Sequence, residues 1–282
     1  MRKNFEDTFN NPLQATSKRF IWDYWNVPEQ YTLLRTPAYL FFPKNLYESF
    51  HSQLQKWGQT NLGCHSVSPP WLSCYVEGCE QKLHADEPHG PFAFVYSLTP
   101  WERRSFNGGE TLLLKDHFLD LWNQPNSSRG LEHRMAFTSI PPKFNQLTVF
   151  DPRIPHAVNR VSGTHNVVDG RLVIHGWFTD PKPFIEGPAS HKELGTQLQE
   201  LEGALGQWLP GDELIQGIVS FRLSISPAGK CTGIERLAHT LRAQDERVIQ
   251  ELLRALKSTF LSFKFSKKSK GSKITIPLLF EA

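Results

Sequence analysis

The chain lacks any apolar run near the roughly 20 residues that a membrane-spanning helix requires. Its first residues, MRKNFEDTFNNPLQ, carry charges with no apolar segment behind them, so we expect no secretory signal. An excess of one charge is also missing, because the formal net charge of +3 is too small to indicate nucleic-acid binding. These absences predict a cytoplasmic protein whose partners include neither a membrane nor a nucleic acid.

Cysteine is scarce as well, with four residues in a chain of 282. Cys64, Cys74, Cys79 and Cys231 form no C-x-x-C pair. A chain of this length can bury enough apolar surface without disulfides. Free thiols are therefore favoured over disulfide bridges.

Turn-forming residues, by contrast, are plentiful. The 20 prolines and 19 glycines favour β architecture over a helical bundle. Between residues 71 and 178 the chain contains short β-type runs of the kind that an antiparallel sandwich or barrel requires, namely WLSCYV, FAFVYSL, ETLLL, QLTVF and RLVIHGWF. The first 75 residues instead predict a layer of helix and loops, with a helix over NLYESFHSQLQKW (45–57).

Composition and periodicity predict three parts in the chain. Residues 1–190 contain the β core at about 70–180, and residues 191–212 predict a linker helix. Residues 213–282 predict a small β-β-α-β accessory domain, because an alternating strand pattern is followed by apolar residues at helical spacing and by a closing β-type run.

Two histidines and an aspartate in the β core have the pattern of metal ligands. In an extended segment, residues two apart point to the same face, so His84 and Asp86 can hold one ion from a single strand end. A similar pair, His191 and Glu193, lies in the predicted linker helix, where residues two apart diverge. His156 follows another β-type run and adds a third ligand. Two histidines and one carboxylate leave open positions on Fe(II), as oxygen-activating chemistry requires.

Arg171 opens the run RLVIHGWF, fifteen residues after His156. Its guanidinium is planar, permanently charged and able to bind a carboxylate through two hydrogen bonds. In this order of motifs, Arg171 is the natural anchor for a dicarboxylate co-substrate whose other end binds the metal.

The ordered motifs resemble those of the Fe(II)/2-oxoglutarate-dependent dioxygenases, especially the prolyl-4-hydroxylase-like branch. They are Y-x-x-G (Tyr75, Gly78), H-x-D (His84, Asp86), N-G-G-E-T (107–111), the distal His156 and R-x-x-x-x-G-W-F (171–178). The resemblance covers about residues 70–180. It implies a mainly β fold, a double-stranded β-helix or jelly roll with flanking helices, next to a small α+β C-terminal module.

The resemblance also implies roles for these residues. His84, Asp86 and His156 would bind Fe(II) and would form the catalytic centre, while Arg171 would hold the C5 carboxylate of 2-oxoglutarate. Tyr75 would hydrogen-bond the same co-substrate, although a half-buried strand tyrosine explains it equally well.

Two departures from the family pattern concern the anchoring of 2-oxoglutarate. Many relatives carry a hydroxyl two residues after the anchoring cation, where this chain has Val173. The loop before Arg171 is also long, which leaves Arg160 as an alternative anchor.

Four residues near these motifs are candidates for binding the substrate. Alternation from Arg171 places His175 and Trp177 on the inward face, although His175 could equally be a core histidine. Arg153 and Arg160 flank the distal histidine and could bind an anionic substrate group or lie at the surface.

The loop WERRSFNGGE (101–110) has two interpretations. It is either a lid with hinges at Gly108 and Gly109 or a plain hairpin turn.

Residues 213–281 resemble the C-terminal domain of TonB-like proteins in their β-β-α-β pattern and in the cadence G-x-V-x-x-x-x-x-I-x-x-x-G. The function of an energy transducer is not implied. We expect a docking, dimerising or substrate-gating module, through which the chain forms a homo-oligomer or docks to another protein.

The resemblance predicts an oxidoreductase that uses Fe(II), O2 and 2-oxoglutarate, and that decarboxylates 2-oxoglutarate to succinate. We expect its substrate to be a small amino-acid-derived natural product, oxidised at an unactivated C–H by hydroxylation or by a variant such as oxidative C–N cleavage. The alternatives are a peptidyl-prolyl hydroxylase of the same family and a non-catalytic metal-binding sensor or interaction protein.

Overall fold

The structure is a computed structural model that describes residues 1–11, 13, 16–86, 89–115, 136–208 and 214–281. The chain divides into two compact units. The first unit comprises Met1–His51 and Val67–Phe178, and the second comprises Ser52–Ser66 and Thr179–Ala282. Whether the chain folds as separate domains with the limits 1–190, 191–212 and 213–282 stays a prediction.

The described residues form mainly β structure with few helices. The helices are α1 (Arg2–Phe9), α2 (Ala38–Phe41), α3 (Lys44–Leu62), α4 (His191–Trp208) and α5 (Glu246–Ser262). The strands are β1 (Asp23–Val27), β2 (Tyr31–Pro37), β3 (Cys64–Val67), β4 (Trp71–Tyr75), β5 (Glu80–His84), β6 (Phe92–Ser97), β7 (Thr111–Leu114), β8 (Phe137–Ile140), β9 (Leu147–Phe150), β10 (His156–Val158), β11 (Arg171–Pro181), β12 (Phe184–Glu186), β13 (Gly217–Ile225), β14 (Cys231–His239) and β15 (Ser272–Phe280). No helix among the described residues is long and apolar enough to cross a membrane.

A large antiparallel sheet dominates the first unit. Its strands follow the order β8-β7-β10-β5-β2-β4-β11-β6-β9, and β1 pairs with β2. The curled sheet confirms the prediction of a mainly β, jelly-roll fold with flanking helices and a small additional sheet. Each of the five predicted β-type runs contains a strand.

Strand β11 has side chains on both faces of this sheet. Leu172 and Ile174 are fully buried in an apolar cluster with Phe5 and Phe41. Successive strand residues point to opposite faces, so Arg171, Val173 and their alternating neighbours face the other way. The apolar cluster therefore fixes β11 from one side and leaves its other side for a cavity.

The prediction of a helix-and-loop layer over the first 75 residues is wrong for part of that segment. Residues 23–37 form an antiparallel pair of strands, β1 and β2, instead of loops. The aromatic residues of this segment pack across the pair, and the rings of Trp25 and Tyr31 stack 5.7 Å apart. Such cross-strand packing overrides the weak local pattern. The predicted helix over 45–57 is confirmed as part of α3.

The second unit has a four-stranded antiparallel sheet in the order β12-β15-β13-β14. Helix α5 packs Leu252, Leu256 and Phe260, all fully buried, into its apolar core. The helix predicted as a linker, α4, is also part of this core, because Leu194 and Leu201 are 2% and 1% exposed within the same cluster. Helix α4 is therefore a packed element of the unit.

Candidate active site

Three side chains from separate elements of the first unit converge at one point. His84 ends β5, His156 begins β10, and the two residues lie directly opposite each other in the antiparallel ladder. Asp86 follows β5 by two residues, and its backbone N–H donates to the carbonyl of Pro152. The Asp86 carboxylate lies 3.6 Å from Nε2 of His84 and 3.5 Å from Nε2 of His156. One ligand atom from each residue lies within 4.8 Å of the others.

Backbone hydrogen bonds fix the tautomers of the two histidines. Nδ1 of His84 lies 2.7 Å from the carbonyl of Lys82, and Nδ1 of His156 lies 2.9 Å from the carbonyl of Ile154. A carbonyl can only accept, so each Nδ1 carries the proton and each Nε2 is free to bind a metal. Burial lowers the pKa of His84, which favours its neutral form.

The Asp86 carboxylate is held ionised by its neighbours. Burial by itself raises the pKa of Asp86, but the neighbouring side chains of His156 and His84 lower it below its usual value. The two imidazole Nε2 atoms and the ionised carboxylate fit a divalent transition metal and leave further coordination positions open. The pair His191 and Glu193 forms no such group among the described residues.

The triad opens into a cavity of about 250 Å³ in the first unit. Much of its wall is apolar, contributed by residues such as Leu33, Trp71, Phe94, Phe150, Val173 and Trp177. The polar and charged lining residues are Tyr31, Arg35, Tyr75, Gln81, His84, Asp86, His89, Thr111, His156, Arg171 and His175. A cleft in which apolar walls surround convergent polar groups is typical of a small-molecule site.

Arg171 is a buried cation whose hydrogen-bonding capacity is largely unused. Its side chain is 1% exposed, and Nη2 donates to the Thr111 hydroxyl at 3.2 Å. Nε and Nη1 are buried and have no partner among the described residues. Buried charges are normally paired, because an unpaired one is costly. The two free nitrogens therefore indicate an anionic ligand in this cavity.

Tyr75 lies directly opposite Arg171 in the β4–β11 ladder. Its ring centroid is 4.5 Å from the Arg171 guanidinium carbon, and its hydroxyl donates to Oε1 of Gln81 at 2.9 Å. The side chain is 1% exposed, so the interpretation as a half-buried strand tyrosine is wrong. Burial raises the pKa of Tyr75 despite the opposing effect of Arg171, which keeps the phenol protonated.

The remaining predicted site residues separate into two groups. His175 and Trp177 line the cavity, and Nε2 of His175 lies 2.8 Å from the Ser73 hydroxyl. Burial, together with the nearby Arg171, lowers the pKa of His175 to about 4, so it is neutral near pH 7. Arg160 is exposed and does not line the cavity. Arg153 is also outside the lining and forms an ion pair with Asp151 at 2.8 Å.

The glycines of the loop at 101–110 are packed against residues 159–162. The backbone N–H groups of Asn107 and Gly109 donate to the carbonyls of Ser162 and Asn159. Gly108 has φ of +77°, and a Cβ there would lie 1.9 Å from the Arg160 carbonyl oxygen, so only glycine fits. Gly108 and Gly109 thus pack against residues 159–162, and a lid role for this loop stays a prediction.

The cavity residues that sequence reasoning missed include Thr111, His89 and Arg35. Thr111 supports Arg171, and His89 stacks on Trp177 with ring centroids 4.5 Å apart. Arg35 lies in the segment predicted as loop, and its guanidinium lies between two tryptophan rings. Only Thr111 had a signal, because it ends the N-G-G-E-T motif.

Comparison with known proteins identifies the part of the chain that carries this site. Residues 70–179 match the model of the 2OG-Fe(II) oxygenase superfamily. None of the curated proteins compared is significantly similar to the chain. None of the comparisons supports the resemblance of residues 213–281 to TonB-like proteins.

Solved structures similar to this chain include two prolyl hydroxylases. A prolyl-4-hydroxylase from Pseudomonas putida is 17% identical, with a TM-score of 0.37 over 55% of this chain and 76% of that one. A prolyl hydroxylase from Trichoplax adhaerens, in complex with a hypoxia inducible factor peptide fragment, is 18% identical, with a TM-score of 0.38 over 58% and 72%.

A third similar structure is the non-haem alpha-ketoglutarate-dependent epimerase of nogalamycin biosynthesis. It is 15% identical, with a TM-score of 0.36 over 56% of this chain and 69% of that one. These scores are low, so the assignment rests on the family model and on the triad. The triad lies within the segment that matches the oxygenase family model, and the protein is a dioxygenase that uses Fe(II), 2-oxoglutarate and O2.

Proposed function

We propose that His84, Asp86 and His156 hold the Fe(II) and that Arg171 binds the C5 carboxylate of 2-oxoglutarate. The observation that carries this proposal is the buried Arg171, whose Nε and Nη1 lack partners in the same cavity as the triad. Because Arg160 is exposed and outside the lining, Arg171 is the better anchor. Thr111 and Tyr75 hold the guanidinium in place from two sides.

The bound metal supplies the activation of O2, and the residues of the chain orient the reactants. The overall reaction converts a substrate C–H, O2 and 2-oxoglutarate into a C–OH, succinate and CO2. The Nδ1 hydrogen bonds of both histidines keep the two Nε2 atoms aimed at the metal. The apolar wall excludes water from the reacting C–H, and His175 and Trp177 are placed to contact the substrate.

We further propose that the substrate is a small amino-acid-derived natural product. A cavity of about 250 Å³ lies below the range of about 300–1,000 Å³ that is typical of drug-sized ligands.

The four cysteines are free, as expected, which supports a cytoplasmic location. The proposed partner of the second unit is another protein or a second copy of this chain, since β14 is an edge strand of its sheet.

An aerobic assay tests the substrate class. The protein is supplied with Fe(II), 2-oxoglutarate and either small amino-acid derivatives or proline-containing peptides, and succinate and oxidised product are quantified together. Stoichiometric succinate and product with a small molecule support the proposal. Equal succinate and product with peptides alone would replace it with the peptidyl-prolyl hydroxylase alternative.

A further inference from the structure

A second cation lines the cavity next to the one assigned to 2-oxoglutarate. Arg35 of β2 lines the cavity. It pairs with Ser73 of β4, which pairs in turn with Val173 of β11, so the three residues form one row across the sheet. Arg171 lies in a different row, opposite Tyr75, and β4 separates β2 from β11. With strands about 4.8 Å apart and a rise of about 3.3 Å per residue, the two Cα atoms are on the order of 12 Å apart.

Two tryptophans clamp the Arg35 guanidinium. Its central carbon lies 2.9 Å from the ring centroid of Trp25 and 4.0 Å from that of Trp71. The two indoles come from β1 and β4, which flank β2 on opposite sides, so both faces of the guanidinium are covered. A planar cation held by its faces can bind a ligand only through its N–H edge, which matches a carboxylate.

The Arg35 guanidinium has no ion pair at contact distance within the described part of the chain. It forms no hydrogen bond there either, and its buried Nε has no partner. Asp23 lies opposite Arg35 on β1 and its charge acts on the guanidinium from beyond ion-pair distance, but Asp23 is exposed and outside the cavity lining. The aromatic clamp occupies the faces of this half-buried cation and leaves its N–H edge available to an anionic group in the cavity.

The other lining residues restrict the rest of the ligand. Among the described lining residues Asp86 is the one carboxylate, and it belongs to the metal triad. A substrate ammonium group would therefore find no free anionic partner among the described lining residues. The remaining wall near Arg35 is aromatic or aliphatic, as with Tyr31, Leu33 and Trp71.

We propose that Arg35 binds a carboxylate of the oxidised substrate, so that the substrate is a small acid with an apolar body and no free ammonium group. This inference rests on the proposed function, because it takes Arg171 to be occupied by 2-oxoglutarate. Arg35 would then be a specificity-determining residue. The amino-acid-derived substrate would be an acid whose nitrogen is N-acylated or otherwise uncharged.

The test is calorimetric binding to the full chain loaded with Mn(II) and 2-oxoglutarate, which permits binding without turnover. The probes are N-acetyl-L-amino acids with apolar side chains, their C-terminal amides and the corresponding free amino acids. The amides resemble an internal residue of a peptide. We expect the N-acetyl acids to bind and both other sets to bind at least about tenfold more weakly.

Variants of Arg35 complete the test. Arg35→Gln should weaken the binding of the N-acetyl acids at least about tenfold and leave 2-oxoglutarate affinity unchanged, and Arg35→Lys should recover part of the loss. Arg254→Gln, which removes an exposed cation of α5, is the control for net charge and should change neither affinity.

Failure of this inference is distinguishable from failure of the proposed function. Three results would overturn the role of Arg35 while 2-oxoglutarate still binds normally. They are no binding of the N-acetyl acids, amides that bind as tightly as the acids, and acid binding that is unchanged in Arg35→Gln. Loss of 2-oxoglutarate affinity in Arg35→Gln would also overturn it, and would assign Arg35 to the co-substrate. Absence of 2-oxoglutarate binding in the unmodified protein would instead contradict the proposed function.

Discussion

Fully buried polar side chains of the two units provide a contrast. In the second unit, the buried hydroxyls of Ser220 and Thr275 donate to the backbone carbonyls of Leu62 and Thr60 at 2.6 and 2.8 Å. In the first unit, the buried guanidinium of Arg171 has one hydrogen bond and two partnerless nitrogens. Native proteins rarely leave buried polar groups unsatisfied unless a ligand or function requires it. The fully buried hydroxyls of Ser220 and Thr275 are thus satisfied within the fold, while the fully buried guanidinium of Arg171 keeps N–H groups available at the cavity.

Among the variants considered, removal of a proposed metal ligand in the first unit should have the largest effect on ligand binding. We expect His156→Ala to reduce Fe(II) affinity by more than about 100-fold, since loss of an outer hydrogen-bonding partner alone costs about 10–100-fold. Anaerobic metal titration measures the effect. His165→Ala, an exposed histidine of the same unit, is the matched control and should bind metal normally.

Replacement of the buried cation should affect ligand binding and stability in opposite directions. Arg171→Met should weaken 2-oxoglutarate binding by at least about 30-fold, because loss of one member of a buried charge pair costs about 2–5 kcal/mol. The ligand-free protein should become more stable, by about 1–4 kcal/mol, because an unpaired buried charge is removed. Calorimetric titration and chemical denaturation measure the two effects. A less stable variant would show that Arg171 is satisfied without a ligand.

A truncation in the second core should show the reverse pattern. Leu252 is fully buried in α5, and Leu252→Ala should lower the free energy of unfolding by about 2–5 kcal/mol while 2-oxoglutarate affinity stays unchanged. Leu261 of the same helix is 53% exposed, so Leu261→Ala should cost less than about 0.5 kcal/mol. Equal losses in the two variants would contradict the assignment of this core.

The smallest predicted effect is a pH dependence from His175. Its pKa is about 4 in the folded protein and about 6.5 when unfolded, so the unfolded chain binds more protons between these values. Stability should therefore fall as pH decreases from 6.5 to about 4, by at most about 3 kcal/mol from this residue. His175→Gln should flatten that decline in a denaturation series and have little effect above pH 7. An unchanged acid limb would argue against a buried neutral His175.

Sequence reasoning was most effective where the signal is local. In the five β-type runs, apolar residues alternate with polar ones or cluster within a few residues, so their strands were predictable. The two-residue spacing of His84 and Asp86 likewise indicated that they share a face. Arg171 became informative through the order of the motifs that precede it.

The features that escaped prediction depend on contacts between distant segments. Arg35 acquires its setting from Trp25 on β1 and Trp71 on β4, which are separated by 46 residues of sequence. A single arginine in an aromatic-rich segment gives no sign of such a clamp until the strands pair. Helix α4 likewise has the composition of a linker, and only its packing reveals that Leu194 and Leu201 belong to a core.

The most direct test of the central claim is an anaerobic titration of the purified protein with Fe(II) and 2-oxoglutarate, followed by visible absorption. The account predicts a weak charge-transfer band on addition of both ligands, no band in Asp86→Ala, and a band that requires much more 2-oxoglutarate in Arg171→Gln. A protein that binds the metal but never develops the band at any 2-oxoglutarate concentration would contradict the account.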